Sequence, residues 1–535
     1  MIVKKITVSY RDSPRQAAYR YVILLDIYYN VPSLLRGEAI NGSSATGAND
    51  YMLESPSLSF SQPHVLNTST SRGGYYVMTW GCQMNEEDSE QLALYLERDG
   101  YFEVQELEQA NVILLNTCSV RAKPEDKVWS ILGRLRDMKR ERPELIIGVC
   151  GCMAQVEAAN LARRAPHIDI IIGTGNIARL PELLDKVRRG EPVEPSTNSV
   201  SGRNMVPLTA LQLPPRKGAI VSDLPGRASE RKPKLKSHVP IMYGCDKFCT
   251  FCIVPHTRGR ERSRPTNEIL AEIRQLAANG TREVTLLGQT VNSYGKNLPE
   301  GRVPFARLLE QINDVQGIER IRFTSPYPRD FTQDLIETIA RLPHVCEHVH
   351  LPLQVGDDVL LKDMHRGYTV SEFKAIVHNL RTLVPGIAIT TDIMLGHPGE
   401  TDEQFENTLE TVRELRFDSA FMFAYSPRPN TPAAVRSDQV EQTVKMSRLN
   451  KLIDVQNLIT QEVNAGLVGS IQEVLIEGAS AKNRERLSGY TRTLKLVNCA
   501  LPARSSLNSE SFVGKLVPVL ITDGMQTGLL GEILL

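Results

Sequence analysis

The sequence predicts an α/β protein with three folded parts, because two stretches of alternating strand and helix patterns are followed by one of strands only. The alternation runs from Tyr75 to about residue 190 and again from His238 to about residue 466. Such alternation is typical of parallel sheets covered by helices. After Gly466 only short strand patterns remain, which predicts a small antiparallel β-barrel.

Residues 1–73 carry one short apolar patch and then a polar tract, which predicts a flexible N-terminal extension without chemistry. The first apolar patch is not followed by a small-residue cleavage site, so we expect no signal peptide. Acidic residues in the same segment are atypical of a transit peptide, so we do not expect one. No run of eighteen apolar residues occurs, so we expect no membrane span and a cytoplasmic location. Nine cysteines in 535 residues do not resemble a secreted disulfide scaffold.

The first folded part spans residues 74–190. Its predicted strands are YYVMTW, VILLN, LIIGV and IDIIIG, with helices over 86–99 and 122–140. This βαβ pattern indicates a mostly parallel sheet with helices on both faces. Residues 191–235 are rich in Pro, Ser and Gly and end in the basic GRASERKPKLK. We interpret them as a solvated linker, with RNA contact as the alternative.

The second folded part, residues 236–466, contains six strand candidates: HVPIMY, EVTLLGQ, IERIRFTS, EHVHLPLQ, IAITTDIMLG and DSAFMFAY. Helical stretches such as 266–278 and 402–415 lie between them, and a long helix over about 440–464 ends the region. Six βα units in one run predict a partial (β/α)6 barrel. Residues 467–535 form the predicted small barrel, from IQEVLIEG, TLKLVNC, KLVPVLITDG and GLLGEIL.

A first cysteine set lies in YGCDKFCTFCIVPHTRGR, where Cys245, Cys249 and Cys252 follow the first strand of the barrel region. Barrel enzymes build their sites at the carboxyl ends of strands, so this loop lies at the expected catalytic mouth. One interpretation adds His256 as the fourth ligand of a structural zinc ion. The other is a 4Fe-4S cluster with one iron left open. The strand context and Phe251 favour the cluster.

A second cysteine set comes from three separate places in the sequence. Cys82, Cys118 and Cys152 each follow a predicted strand of the first sheet. Side chains at the carboxyl ends of parallel strands meet along one edge, so we expect one shared site. The alternative is that each is an ordinary buried residue. Cys150 is a possible spare ligand, although packing in the strand is favoured.

The motif of the first set, C-x3-C-x2-C with an aromatic residue before the third cysteine, resembles the signature of the radical S-adenosylmethionine (SAM) enzymes. In that family the open iron of a 4Fe-4S cluster chelates SAM, and an electron from the cluster cleaves SAM to a 5′-deoxyadenosyl radical. The resemblance therefore implies that Cys245, Cys249 and Cys252 bind a cluster. Gly288 and Gln289 end the second barrel strand and are candidate SAM contacts, as strand-end residues in this fold often are. The alternative is a turn residue and a surface amide.

The words WGCQMNEEDSE, NTCSVR and GCMAQ resemble the N-terminal domain of the methylthiotransferases. The resemblance extends from about Tyr75 to Glu532 and includes RGRERSRP, LLGQTVNSYG, HLPLQ, RGYT, GHPGET and YSPRPNTPAA. It implies an auxiliary 4Fe-4S cluster on Cys82, Cys118 and Cys152. The contexts GCQMN and NTCSVR look like the MiaB branch, which acts on tRNA. That branch methylthiolates C2 of N6-dimethylallyladenosine beside the anticodon, with SAM as radical source and methyl donor.

Two alternatives stay open at this point. One is a methylthiotransferase for threonylcarbamoyl-adenosine in tRNA or for a ribosomal-protein aspartate, and the other is a non-catalytic, zinc-bound RNA-binding protein. The family resemblance implies the tRNA anticodon stem-loop, an electron donor such as flavodoxin or ferredoxin, and a sulfur source as partners. We expect a monomer.

The C-terminal barrel resembles the TRAM domain, an RNA-binding module, and Arg492 and Lys495 are candidate RNA contacts. The sequence also departs from the family pattern at a few positions outside the cysteine sets. They are Thr290, Val355, Asp357 and His397.

Overall fold

A computed structural model describes residues 71–119, 122–190, 207–213, 230–298, 301–501 and 509–534. Nearly all of the predicted N-terminal extension, and most of the predicted linker over 191–235, lie outside these residues. The described residues belong to one unit of the chain, Leu66–Leu535.

The N-terminal part is a six-stranded sheet whose strand pairs are all parallel, in the order β2-β1-β3-β4-β5-β6. Two three-residue edge strands, β2 and β6, were not predicted, because such short runs carry no clear apolar alternation. The strands are β1 (Gly73–Trp80), β2 (Tyr101–Glu103), β3 (Ala110–Thr117), β4 (Ile146–Cys150), β5 (Ile170–Ile172) and β6 (Leu208–Ala210).

Four helices cover the two faces of this sheet: α1 (Gln83–Arg98), α2 (Ala122–Glu141), α3 (Gly151–Arg164) and α4 (Leu180–Arg188). The central strands β3 and β4 are buried almost throughout, and their side chains alternate between two apolar clusters. One cluster lies beneath α2 and α3 and the other beneath α1 and α4. The predicted parallel sheet with helices on both faces is thus confirmed.

The predicted linker is partly structured. Strand β6 lies within it and pairs with β5. At its basic end, Arg231 is 4% exposed and forms ion pairs with Glu90 and Glu272, both at 2.8 Å. Lys232 and Lys234 also pair with carboxylates of the N-terminal part. These basic residues therefore join the N-terminal part to the barrel region.

The second part contains six parallel strands whose order in space follows the chain. Two three-stranded sheets are joined by a parallel bridge between Ile321 and Val345. No ladder among the described residues links the last strand to the first, so the barrel is open, as predicted. Its strands are β7 (Lys236–Pro240), β10 (Glu283–Leu287), β11 (Arg320–Phe323), β12 (His348–His350), β13 (Ala388–Leu395) and β14 (Ser419–Ala424).

The helices of this region lie between the strands. The predicted helices over 266–278 and 402–415 have the predicted ends, because a capping box begins the second and Asn279 ends the first. The helices are α5 (Val254–Thr257), α6 (Thr266–Ala278), α7 (Phe305–Asn313), α8 (Gln333–Arg341), α9 (Asp358–Asp363), α10 (Val370–Leu383), α11 (Asp402–Leu415) and α12 (Gln442–Ala465). Of the helices that the structure describes, none combines the length and the apolar character that a membrane crossing requires.

Two short antiparallel strands lie on either side of the first cysteine set in the chain and pair with each other. The predicted strand HVPIMY is divided in two: β7 belongs to the barrel, and β8 (Met242–Tyr243) pairs with β9 (Arg262–Ser263). This pair closes the base of the loop that contains the three cysteines. The loop is therefore held at both ends.

The C-terminal part is a closed barrel in the order β15-β16-β17-β19-β18. Four of its strand pairs are antiparallel and one, β17 with β19, is parallel. A closed ring of five strands cannot alternate throughout, so one parallel pair is required. The strands are β15 (Ile471–Ala479), β16 (Leu487–Thr491), β17 (Leu496–Ala500), β18 (Leu516–Met525) and β19 (Gly528–Ile533). Of these, β16 was not predicted.

Buried arginines of β11 attach this barrel to the second part. Arg320 is completely buried and donates to the carbonyls of Tyr490, at 2.8 Å, and Glu473, at 2.9 Å. Arg322 donates to the carbonyls of Thr491 and Arg492. Each of these bonds satisfies a backbone group at the interface.

The two predicted RNA contacts of the C-terminal barrel lie at the same interface. Arg492 forms an ion pair with Glu347 at 2.7 Å, and Lys495 forms one with Asp418 at 2.8 Å. Both carboxylates belong to the second part of the chain. The prediction that these two side chains face RNA is wrong, because they bind the barrel region instead.

Candidate metal centres

The second cysteine set lies along one edge of the N-terminal sheet. Cys82 follows β1 and precedes α1, Cys118 directly follows β3, and Cys152 is the second residue of α3, just after β4. These three strands are neighbours in the sheet. Cys118 and Cys152 are buried, whereas Cys82 is exposed. The topology thus brings the three cysteines to one edge, as the sequence argument expected.

The thiols of this set interact with one another and with one cation. A hydrogen bond with Cys118 lowers the pKa of Cys82 to about 6, and the charge of Arg258 acts in the same direction. Burial raises the pKa of Cys152, and Arg258 opposes that effect. Thiolates are the ligands that iron–sulfur clusters require, so this donor set fits such a cluster.

Two glycines allow the cysteines to approach each other. A Cβ atom at Gly81 would lie 2.7 Å from the Cβ of Cys118. Gly151 has φ +87°, and a Cβ there would lie 2.8 Å from the carbonyl oxygen of Thr117. Only glycine tolerates such a conformation with so little space. Glycine at these two positions therefore allows Cys82 and Cys152, which follow them, to lie close to the end of β3.

An asparagine pair fixes the start of α1 at this edge. Asn116, at the end of β3, donates through Nδ2 to the carbonyl of Asn85 and to Ser89 Oγ, both at 2.8 Å. Asn85 Oδ1 in turn accepts from the Cys82 thiol at 3.3 Å. This network connects the first cysteine of the set to the strand that leads to the second.

Cys150 lies apart from the set. It is 1% exposed and packs in the apolar cluster beneath α1 and α4, with Leu92 and Leu114 among its members. Burial raises the pKa of its thiol strongly. Because Cys150 ends β4 and Cys152 lies inside α3, their side chains do not share a strand face. The packing interpretation of Cys150 is the one that the structure supports.

The first cysteine set lies on a single loop that neighbouring loops hold in place. Thr250, between Cys249 and Cys252, donates through its backbone N–H to the Met364 carbonyl at 3.2 Å. Its own carbonyl accepts from the N–H of Ala433 at 3.0 Å. The backbone N–H of Cys252 also donates to the Cys249 carbonyl at 3.0 Å. The loop is thus pinned midway between its cysteines.

The thiols of the first set are mostly buried beside a buried arginine. Burial raises the pKa of Cys245 to about 11 and that of Cys252 to about 12. Arg366 is 7% exposed and donates through Nη1 to the Cys249 sulfur at 3.4 Å. Its other bonds go to the Tyr368 hydroxyl and the Pro352 carbonyl. A fixed positive charge therefore faces this set, where anionic sulfur would be held.

The zinc alternative finds no support at the first set. His256 is exposed on the short helix α5. Among the residues that the structure describes, no three His, Cys, Asp or Glu side chains converge on a point where one metal ion could bind. A zinc ion needs its ligands at about 2.0–2.3 Å from a single point. A cluster differs, because each thiolate binds a separate iron atom.

An apolar contact and helix α5 lie between the two sets. Met84, two residues after Cys82, packs with Tyr243, two residues before Cys245, and with Leu287 at the end of β10. Helix α5, which follows the first set, packs against α3 of the second set. The hydroxyl of Thr174 donates to the carbonyl of Thr257 at 2.6 Å. The segments that carry the two sets therefore pack against each other at one interface.

Gly288 and Gln289, the predicted SAM contacts, follow β10 beside the first set. A Cβ at Gly288 would lie 2.5 Å from Cγ of Met242, in the strand that leads to the cysteine loop. The Oε1 atom of Gln289 is buried and accepts no hydrogen bond from the described residues. An unpaired buried acceptor is costly unless a ligand satisfies it. Their role as SAM contacts stays a prediction.

The departures from the family pattern lie outside the cysteine sets, and one of them contacts the first cysteine loop. His397 is buried, and its Nε2 lies 3.4 Å from the hydroxyl of Thr250 in the first cysteine loop. The hydroxyl of Thr290 donates to a buried glutamate at 3.4 Å. Val355 is buried, and Asp357 caps α9 through its side chain. Three of the four departures thus form a polar contact, and Val355 packs in the apolar core of the barrel region.

The sequence analysis missed two arginines, Arg258 and Arg366. Each lies in a motif that was recognised, RGRERSRP and RGYT, without a role. Arg258 is 5% exposed and Arg366 is 7% exposed, which is rare for arginine unless it is paired. Their burial beside thiols could not be predicted from the sequence, because it depends on how separate segments pack.

Two family models match the chain. A model described as the radical SAM superfamily matches residues 239–412, and one described as uncharacterized protein family UPF0004 matches residues 74–173. A solved structure of the radical SAM methyltransferase TsrM from Kitasatospora setae is 17% identical, with a TM-score of 0.49 over 68% of this chain and 77% of that one.

Curated relatives match most of the chain. The tRNA-2-methylthio-N(6)-dimethylallyladenosine synthase of Carboxydothermus hydrogenoformans is 47% identical, over 84% of this chain and 97% of that protein. The protein of the same name from Clostridium botulinum is 43% identical, over 88% of this chain and 99% of that protein. The chain therefore belongs to the tRNA-2-methylthio-N(6)-dimethylallyladenosine synthase family of radical SAM methylthiotransferases.

Proposed function

We propose that this enzyme replaces the C2 hydrogen of N6-dimethylallyladenosine, beside the anticodon of tRNA, with a methylthio group. One observation carries the proposal: two three-cysteine sets, one on the N-terminal sheet edge and one on the barrel loop, lie on segments that pack against each other at one interface. The chain belongs to the radical SAM methylthiotransferases. That family implies SAM and two 4Fe-4S clusters as its cofactors.

The reaction explains why two incomplete cysteine sets are needed. The C2–H bond of adenine is neither acidic nor electrophilic, so acid–base side chains cannot activate it and a radical is required. When bound, a cluster on Cys245, Cys249 and Cys252 would supply the electron that cleaves SAM, and one on the second set would carry the sulfur. Each set provides three thiols and so leaves one iron of a 4Fe-4S cluster for another ligand.

The chain's own residues support these roles. Arg366 would hold the first loop by its bond to the Cys249 sulfur. Gln289 Oε1, which is buried and accepts no hydrogen bond from the residues that the structure describes, would accept one from SAM. The backbone at Gly288 lies close to Met242, so the end of β10 can lie directly beside the cysteine loop. These residues bind and orient, and no proton transfer is assigned to them.

We assign RNA contact to another side of the C-terminal barrel. Lys482, Arg484 and Arg486 lie in the loop between β15 and β16, and the first two are exposed. Basic side chains of this kind bind phosphates without reading sequence. The target base would then be splayed from the anticodon loop into the interface between the two cysteine sets.

The remaining partners are also proposals. The enzyme would take electrons from a donor such as flavodoxin or ferredoxin and sulfur from a separate source. We further propose that it acts as a monomer in the cytoplasm, where tRNA is modified.

Nucleoside analysis of tRNA tests the proposed substrate. Digested tRNA from a deletion strain should lack the 2-methylthio form of N6-dimethylallyladenosine, and expression of this chain should restore it. Mass spectrometry separates this nucleoside from methylthio-threonylcarbamoyl-adenosine. An unchanged profile, or loss of the second nucleoside alone, would contradict the proposal.

Metal analysis separates the enzyme from a zinc-bound RNA-binding protein. Two 4Fe-4S clusters predict about eight irons per chain after anaerobic purification. A single zinc ion without iron would exclude the radical mechanism.

A further inference from the structure

Arg258 joins the first cysteine loop to the second cysteine set. It follows α5, six residues beyond Cys252, and its backbone N–H donates to the Val254 carbonyl at 2.8 Å. Its side chain is only 5% exposed and extends into the N-terminal part. Arg258 thus follows the first cysteine set in the chain but lies beside the second set in space.

The guanidinium of Arg258 pairs with a buried carboxylate, and it interacts electrostatically with two thiols of the second set. Its Nη2 donates to Asp88 Oδ2 at 2.7 Å, and Asp88, on α1, is 2% exposed. Burial by itself would lower the pKa of Arg258, but Asp88, Cys152 and Cys82 together raise it well above its usual range. An arginine guanidinium stays protonated in proteins, so Arg258, held by Asp88, is a fixed cation at the second set.

Asp88 carries the opposite charge to the same place. It lies on the helix that begins after Cys82, and its charge contributes to raising the pKa of Cys152. The pair therefore places one buried positive and one buried negative charge next to the thiols. Charges act more strongly in such a water-poor site than at the surface.

We propose that Arg258 and Asp88 set the reduction potential of the iron–sulfur cluster bound by Cys82, Cys118 and Cys152. A cation beside a cluster stabilises the reduced form, which carries one more negative charge, and so raises the potential. An adjacent carboxylate lowers it. The inference rests on the proposed function, because it requires a cluster on the second set.

The test uses the full chain with Cys245, Cys249 and Cys252 replaced by alanine, so that the second cluster is the one observed. In this background Arg258→Gln should shift the midpoint potential to a lower value, and Asp88→Asn should shift it to a higher value. Redox titration monitored by electron paramagnetic resonance measures both. Arg258→Lys retains the charge and should restore most of the lost potential.

Opposite shifts distinguish a charge effect from structural damage. If both substitutions moved the potential in the same direction, or neither moved it, the inference would be wrong. Arg231→Gln is the matched control, since Arg231 forms buried ion pairs at the same interface with Glu90 and Glu272. Glu90 lies about 12 Å along α1 from Cys82, so this control should cause a smaller shift. A shift as large as that of Arg258→Gln would overturn the inference.

The iron content distinguishes a failure of the proposed function from a failure of this inference alone. The background variant should retain about four irons per chain. Loss of all iron would overturn the assignment of the second set in the proposed function, and the inference with it. Four irons with an unchanged potential in the Arg258 and Asp88 variants would overturn the inference alone.

Discussion

The three cysteines of the first set lie on one short loop, whereas those of the second set follow three neighbouring strands of a parallel sheet. Thr250 pins the first loop midway, because its N–H donates to the Met364 carbonyl and its carbonyl accepts from the N–H of Ala433. The second set depends instead on the register of β1, β3 and β4. Local chain geometry thus builds one site, and the packing of a whole domain builds the other.

The buried arginine beside each cysteine set also has a different origin. One comes from the same region as its set, and the other comes from a different region. Arg366 contacts Cys249 from a motif of its own region and is surrounded by the hydroxyl of Tyr368 and the ring of Tyr327. Arg258 crosses between regions and is paired with Asp88. The two cysteine sets therefore have different electrostatic surroundings, which suits different roles.

Removal of a single cysteine tests the comparison with the largest effect. Cys249→Ala should abolish SAM cleavage, because the first cluster loses a ligand. Cys118→Ala should spare SAM cleavage but stop methylthiolation. Chromatography of 5′-deoxyadenosine and mass spectrometry of tRNA nucleosides measure the two activities. Equal loss of SAM cleavage in both variants would show that the sets are not separate.

Substitution of one glycine beside each cysteine set should have a smaller effect than removal of a cysteine. Gly244 and Gly151 each precede a cysteine at positive φ, +76° and +87°, and a Cβ would meet backbone oxygen at 2.2 Å and 2.8 Å respectively. Alanine at either position should destabilise the fold by about 1–3 kcal/mol. Denaturant unfolding measures this cost.

The same variants should differ in which cluster they lose. Gly244→Ala should reduce iron at the first set and Gly151→Ala at the second, as the spectra of the two clusters would show. Loss of both clusters in each variant would mean that the sites fold as one unit.

Cys150→Ala should have a smaller effect, since this thiol packs among apolar side chains rather than with the second set. We expect a loss of stability of about 1 kcal/mol. Iron content should stay at about eight atoms per chain. A fall to about four would identify Cys150 as a ligand.

His256→Ala should have the smallest effect. The side chain is exposed on α5, so the free energy of unfolding should change by no more than about 0.5 kcal/mol. The iron content and SAM cleavage should match those of the unaltered enzyme. A loss of metal would revive a role for the histidine at the first set.

Sequence patterns predicted most of the fold because apolar periodicity is a local property. The barrel strands and the helices over 266–278 and 402–415 were found for this reason. The edge strands β2 and β6 and the barrel strand β16 were missed, since a short or Gly-containing run shows little periodicity. Pairing with a neighbour decides such strands.

The sequence by itself indicated the two cysteine sets and the fold class. The spacing of the first set, the strand-end positions of the second and the apolar periodicity can all be read locally along the chain. Only the tertiary structure showed that Arg492 and Lys495 bind Glu347 and Asp418 rather than face outward. It alone placed Arg258 beside the second set. The physical reason is that a charge finds its partner through packing between distant segments, which no local pattern records.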